Sequence, residues 1–192
     1  MDQHRFPLVN LPGTLYRVDF PGSRTKYNQA GCLLAADKEK TYDEDKIDDL
    51  KRDILDHYLW RPGRPSPFIS LFSTRVAAES WASEEPWRDE QGPLTPPHMD
   101  WTISVLDVSK LGKSVFFRLK DLMEVLGLDN IPLDGDENEW CQYYAENTYL
   151  CLHRVPAGGI LEKLNAEEVG QRMSLSFYFK GFPFFLWGML TW

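Results

Sequence analysis

The residues that could do chemistry sit on or beside stretches that read as β-strands. Arg17 stands in the middle of Leu15-Tyr16-Arg17-Val18-Asp19. A guanidinium there is a permanent charge with a planar fork of donors. Ser70 stands in Phe68-Ile69-Ser70-Leu71-Phe72, and Ser73-Thr74 follow directly. Glu146 opens Glu146-Asn147-Thr148, just ahead of a stretch that ends in Val155-Pro156. His153 lies in that stretch beside Arg154 and is a candidate to face a cleft with Arg17. Each group also has an ordinary use. Arg17 can pair with Asp19, Ser70 can bond the backbone, and Ser73 or Thr74 can cap a helix. Glu146 can be one more solvated acid. Trp81 and Trp101 read as core rather than as stacking platforms.

Other chemistries find less support. The histidines, His4, His57, His98 and His153, are far apart, and none has a second histidine at helical ligand spacing. His98 with Asp100 is a weak pair, so no metal is expected. Cys32, Cys141 and Cys151 are odd in number, widely spaced and without a CxxC, which reads as free thiols in a reducing compartment. Neither a glycine-rich phosphate loop nor a GxSxG elbow occurs.

The chain has 192 residues, 43% of them hydrophobic and 26% charged, which suffices for one real core. Lys and Arg number 21 against 29 Asp and Glu, a net charge of −8. Bulk nucleic-acid binding needs a cationic surface, so the charge argues against it.

The elements that must position the candidate residues follow from periodicity. Strands are expected near 14–20, 67–72, 101–108 and 148–155. Asp45 to Trp60 carries Ile47, Leu50, Ile54, Tyr58 and Leu59 at helical spacing, with Asp43 or Asp45 as its cap. Shorter helices are expected at 75–83, 116–126 and 161–171. The segment 31–36 is apolar and of uncertain type. Residues 84–100 and 129–140 read as acidic loops. Strands interspersed with unequal helices indicate an α+β domain.

Taken together, the strand with Arg17, the serine strand running into a helix, the strand Trp101 to Val108, and Glu146 ahead of the last strand occur in a telling order. That order resembles the ADP-ribosyltransferase fold in its arginine–serine–glutamate branch, the cholera-toxin-, pierisin- and scabin-like enzymes. It is also similar to a group of fungal domains of unknown function. The resemblance covers about residues 14–160. It implies a split β-sheet with flanking helices, NAD as the substrate, and transfer of ADP-ribose or hydrolysis of NAD. By the same resemblance, Arg17 serves the diphosphate, Ser70 lines the nicotinamide-ribose side, and Glu146 is the catalytic carboxylate. Ser73, Thr74, Thr148 and His153 are further candidates. The sequence departs from the family pattern at two places. The second glutamate of the family's Glu-x-Glu pair falls on Thr148, and the serine motif reads Ser70-Leu71-Phe72. The alternative is therefore a catalytically degenerate member that binds a ligand or a protein. The acceptor of any ADP-ribose is left open among protein, nucleic acid and small molecule.

Residues 1–172 are expected to form the domain, with 173–192 an apolar, aromatic tail suited to a protein partner. Lys180 and Pro183 interrupt that tail and argue against a membrane anchor. The N-terminal stretch lacks an apolar signal region, so an intracellular location, cytoplasmic or nuclear, is expected.

Overall fold

The protein's structure, a computed structural model, describes residues 10–59, 64–84, 99–128 and 137–171. The expected tail at 173–192 and most of the loop at 84–100 lie outside these residues.

Among the described residues nine strands and four α-helices follow one another, and residues 166–171 are helical as well. They are β1 (Thr14–Asp19), β2 (Lys26–Tyr27), β3 (Leu33–Leu34), α1 (Ile47–Tyr58), β4 (Phe68–Phe72), α2 (Arg75–Glu84), β5 (Thr102–Asp107), β6 (Phe116–Arg118), α3 (Leu119–Val125), α4 (Glu137–Asn147), β7 (Thr148–Leu152), β8 (Arg154–Val155) and β9 (Ile160–Asn165). They build a six-stranded sheet in the order β6-β7-β4-β1-β5-β9 and a three-stranded sheet β2-β3-β8. Every strand pairing described is antiparallel. The fold is thus α+β with a divided sheet and flanking helices, as expected.

Side-chain alternation explains the layers. Leu15, Ile69, Leu71, Leu106 and Cys151 point to one face of the large sheet, where Leu33, Ala35 and Val155 of the small sheet region cover them. Val18, Phe72 and Ile103 point to the other face, against Ala77, Ala78, Trp81 and Ala82 of α2. Farther along that second face, Phe68, Phe117 and Leu150 pack against Leu50 and Ile54 of α1 and Leu122 and Met123 of α3. Trp81 and Trp101 are core residues.

Several expectations need correction. The helix expected over 116–126 is strand first: Phe116 and Phe117 pair with Cys151 and Leu150, and helix begins only at Leu119. Two consecutive aromatics suit an edge where each fills the core on its own face. Gly127, at φ 68°, does follow the end of that helix. Of the helix expected over 161–171, residues 161–165 belong instead to β9 because the free edge of β5 offers a ladder; only 166–171 turn helical. Of the acidic loop expected over 129–140, residues 129–136 lie outside the described residues and 137–140 are helix instead, opening α4, which runs on to Asn147 where no element was expected. The strand expected over 148–155 breaks at His153, whose φ of 64° sends the chain from the large sheet into the small one. Neither Asp43 nor Asp45 caps α1; a short 3₁₀ turn at Glu44–Lys46 leads into it instead.

Candidate functional site

The polar centre of the molecule lies where β1 and β4 part. The two strands share one pair, Tyr16↔Phe72, whereas β1 runs alongside β5 for its whole length. Beyond Tyr16 a side chain, not a ladder, spans the gap. Arg17 is buried and donates from Nη1 to the Ser70 carbonyl over 3.1 Å. Its Nη2 donates to Ser23 Oγ at 2.9 Å and Thr25 Oγ1 at 2.7 Å, and its Nε reaches Asp19 Oδ1 at 3.3 Å. A buried guanidinium needs such acceptors to offset its desolvation.

Asp19 is held from its other oxygen. Tyr27 donates its hydroxyl to Asp19 Oδ2 at 2.7 Å, and Ser104 donates to the same oxygen at 3.1 Å. Burial, and next the Asp19 charge, push the Tyr27 phenol well above its ordinary range. Lys163 sits 3.5 Å from the centroid of the Tyr27 ring. The register explains the gathering, since Arg17 lies opposite Ser104 and Ser104 opposite Lys163 in one row across three strands. The segment after β1 completes it: Ser23, Thr25 and Tyr27 alternate, and all three hydroxyls turn to the Arg17–Asp19 pair.

Ser70 faces the other way. Alternation along β4 puts its hydroxyl on the helical face with Phe68 and Phe72, while Arg17 shares the opposite face with Leu15. The Ser70 Oγ lies 2.7 Å from His57 Nε2, and His57 Nδ1 lies 2.7 Å from Ser66 Oγ. Burial, and then the charges of Arg17 and Arg24, lower the His57 pKa to about 3. That imidazole is neutral at any ordinary pH.

The remaining candidates lie elsewhere. Glu146 is exposed at the end of α4, 2.6 Å from Lys120 Nζ, and that hydrogen bond and charge lower its carboxyl pKa. Its contacts therefore run to α3 rather than to Arg17. Thr148 is buried opposite Phe72, on the same face of the sheet as Ser70. Ser73 ties β4 to the start of β7, its N–H donating to the Asn147 carbonyl at 2.7 Å and its hydroxyl to Asn147 Oδ1 at 3.3 Å. Thr74 accepts from the Ala77 N–H at 3.1 Å and so serves as a helix cap. His153 bonds the Lys40 carbonyl through Nε2 at 2.8 Å, at the crossing between sheets and not beside Arg17. Among the described residues no group of three or more His, Cys, Asp or Glu is placed to hold a metal ion.

Sequence reasoning missed His57, Ser66, Ser23, Thr25, Tyr27, Ser104 and Lys163. The period-two run Ser23-x-Thr25-x-Tyr27 was a readable signal, because hydroxyls at that spacing share a face. Nothing local marks His57 as a partner of Ser70, thirteen residues on.

A family model for a domain of unknown function, DUF7587, matches residues 10–169. The chain belongs to the DUF7587 family. No curated protein matches it. Five solved chains do, and one of these, EcPltA, is 14% identical, with 80% of this chain and 75% of that one covered at a TM-score of 0.47. Among the described residues no helix is long and apolar enough to cross a membrane.

Proposed function

We propose that this DUF7587 domain is ADP-ribosyltransferase-like and takes NAD at the seam between β1 and β4, for ADP-ribosyl transfer or NAD hydrolysis. The observation that carries this reading is the Arg17–Ser70 contact at the point where the two strands separate. The Arg17 fork bonds the main chain of the strand that carries Ser70, whose hydroxyl stands on the opposite face of the sheet. Arg17 would meet the diphosphate by exchanging the Ser23 and Thr25 hydroxyls for phosphate oxygens, a stronger charge-assisted pairing. Ser70 would line the ribose side. The cleavage of a ribosyl bond passes through an oxocarbenium-like state that a facing carboxylate stabilises. Glu146 is the candidate for that role, and to fill it the side chain must leave Lys120.

That last requirement favours a second reading, a degenerate member that binds a ligand or a protein without cleaving NAD. The Glu146–Lys120 pair and the buried Thr148 hydroxyl are its support. Incubation with labelled NAD separates the two. Nicotinamide release that disappears in Glu146→Gln supports the enzyme. NAD retained intact on the protein supports the degenerate reading. No binding and no release sinks the enzyme and NAD as the ligand of a degenerate member.

A further inference from the structure

We propose that Ser66 and His57 form a directed hydrogen-bond relay that fixes the Ser70 hydroxyl as a donor, so that Ser70 takes an acceptor oxygen of a ligand and is not a nucleophile. The direction starts from a main-chain group. The Phe68 N–H can only donate, and it donates to Ser66 Oγ at 3.2 Å. Ser66 is buried, and its hydroxyl proton needs an acceptor. Among the described residues the one within reach is His57 Nδ1, at 2.7 Å. A buried hydroxyl proton left unpaired loses its solvation without return. Ser66 therefore donates to Nδ1, and the neutral ring carries its proton on Nε2. That N–H points at Ser70 Oγ, 2.7 Å away, and donates to it.

Ser70 thus receives a hydrogen bond from His57 and turns its own proton away from the ring. An acceptor suits it: a phosphate, carbonyl or ether oxygen. An ammonium or amide N–H does not. The arrangement also separates this Ser–His pair from a nucleophile–base pair, in which the ring nitrogen facing the serine must be bare. The charges of Arg17 and Arg24 reinforce the neutral ring, whose pKa is lowered to about 3.

The relay has its own test, independent of NAD. In ligand-free protein carrying ¹⁵N-histidine, NMR should show His57 protonated at Nε2 and bare at Nδ1 between pH 5 and 8. A proton on Nδ1 overturns the inference. A fluorophosphonate probe should leave Ser70 unmodified, and a Ser70 adduct likewise overturns it. The ligand arm rests on the NAD reading above. Ser70→Ala should weaken NAD binding about tenfold, the loss of one hydrogen bond. Ser66→Ala should do nearly the same, although Ser66 does not reach the ligand. The double variant should lose no more than either single one. Ser66→Thr, which keeps the hydroxyl, should restore binding and guards against a folding defect. If Ser66→Ala binds like the wild type, the relay is refuted. If the wild type itself does not bind NAD, the NAD reading fails, and the NMR result alone decides the relay.

Discussion

Arg17 holds Ser70 by its backbone: Nη1 donates to the Ser70 carbonyl at 3.1 Å, while the two side chains lie on opposite faces of the sheet. One contact thereby closes a gap between strands and fixes the reference point of both polar networks. Removing it should be felt twice.

Arg17→Ala leaves the half-buried Asp19 without its cation and strands the Ser70 carbonyl. Loss of about 1–3 kcal/mol of stability is expected, the range for polar groups left without a partner away from water. Urea denaturation measures it. Arg17→Lys keeps the charge but not the fork, so it should fall between wild type and alanine. In NAD binding by calorimetry the same order is expected, with roughly 1.5–3 kcal/mol lost for alanine. Equal affinities would remove Arg17 from the diphosphate.

Glu146→Gln breaks an exposed pair with Lys120 and should leave the unfolding midpoint unchanged. If Glu146 serves the oxocarbenium-like state, nicotinamide release should fall about 100- to 1000-fold, as for one lost electrostatic stabiliser. In a degenerate protein the wild type shows no release, and Thr148→Glu should then introduce some. Thr148 is buried, so that variant must first be shown to fold. Strong release that survives Glu146→Gln would rule out the carboxylate assignment altogether.

His57 makes stability depend on pH. Its folded pKa, about 3, lies below the ordinary histidine value of 6.5. Above pH 6.5 neither folded nor unfolded state binds the proton, and stability is full. Between 6.5 and 3 the unfolded chain gains a proton that the folded one refuses, so stability falls with pH, by at most about 1.4 kcal/mol per unit. Denaturant midpoints at pH 7 and 4.5 should diverge more for wild type than for His57→Asn. An identical divergence would show that His57 is not held neutral.

Gly159 lies against the core at the turn before β9. A Cβ added there would meet Leu111 Cδ2 at 2.5 Å, and Leu111 is 1% exposed. Gly159→Ala should cost about 1–3 kcal/mol, the range for overpacking, as read from thermal or chemical denaturation. Gly158, whose Cβ would meet nothing within 4 Å, serves as the control. If both alanine variants match the wild type, the close packing of Leu111 on this turn is disproved.

The strands over 14–19, 68–72 and 102–107 were legible because β-branched and aromatic residues crowd them, and α1 was legible from its spacing. The sequence misled where an edge decided the outcome. Phe116-Phe117 and residues 160–165 become strands because β7 and β5 have free edges, which no local pattern reveals. The site was legible only in part. Arg17 reaches the Ser70 main chain while the two side chains lie on opposite faces, and the groups that orient them come from α1 and from the segment after β1. Glu146 was chosen by its place ahead of β7, and that place says nothing of Lys120, which reaches it from α3.

The order of strands in the large sheet also bears on how the chain is made. β1 pairs with β5 nearly ninety residues later, and β4 waits for β7 about eighty residues on. A ribosome delivers β1 and β4 long before either outer partner exists. On emerging they can share only the single Tyr16↔Phe72 pair. The nascent chain therefore carries one open edge of β1 until residues 102–107 are made and one open edge of β4 until residues 148–152 follow. Sheet closure must await residues 148–152, and such distant pairings place folding in the slow class, about milliseconds to seconds. A chaperone that shields strand edges has its longest opportunity on this protein during translation, before β7 arrives.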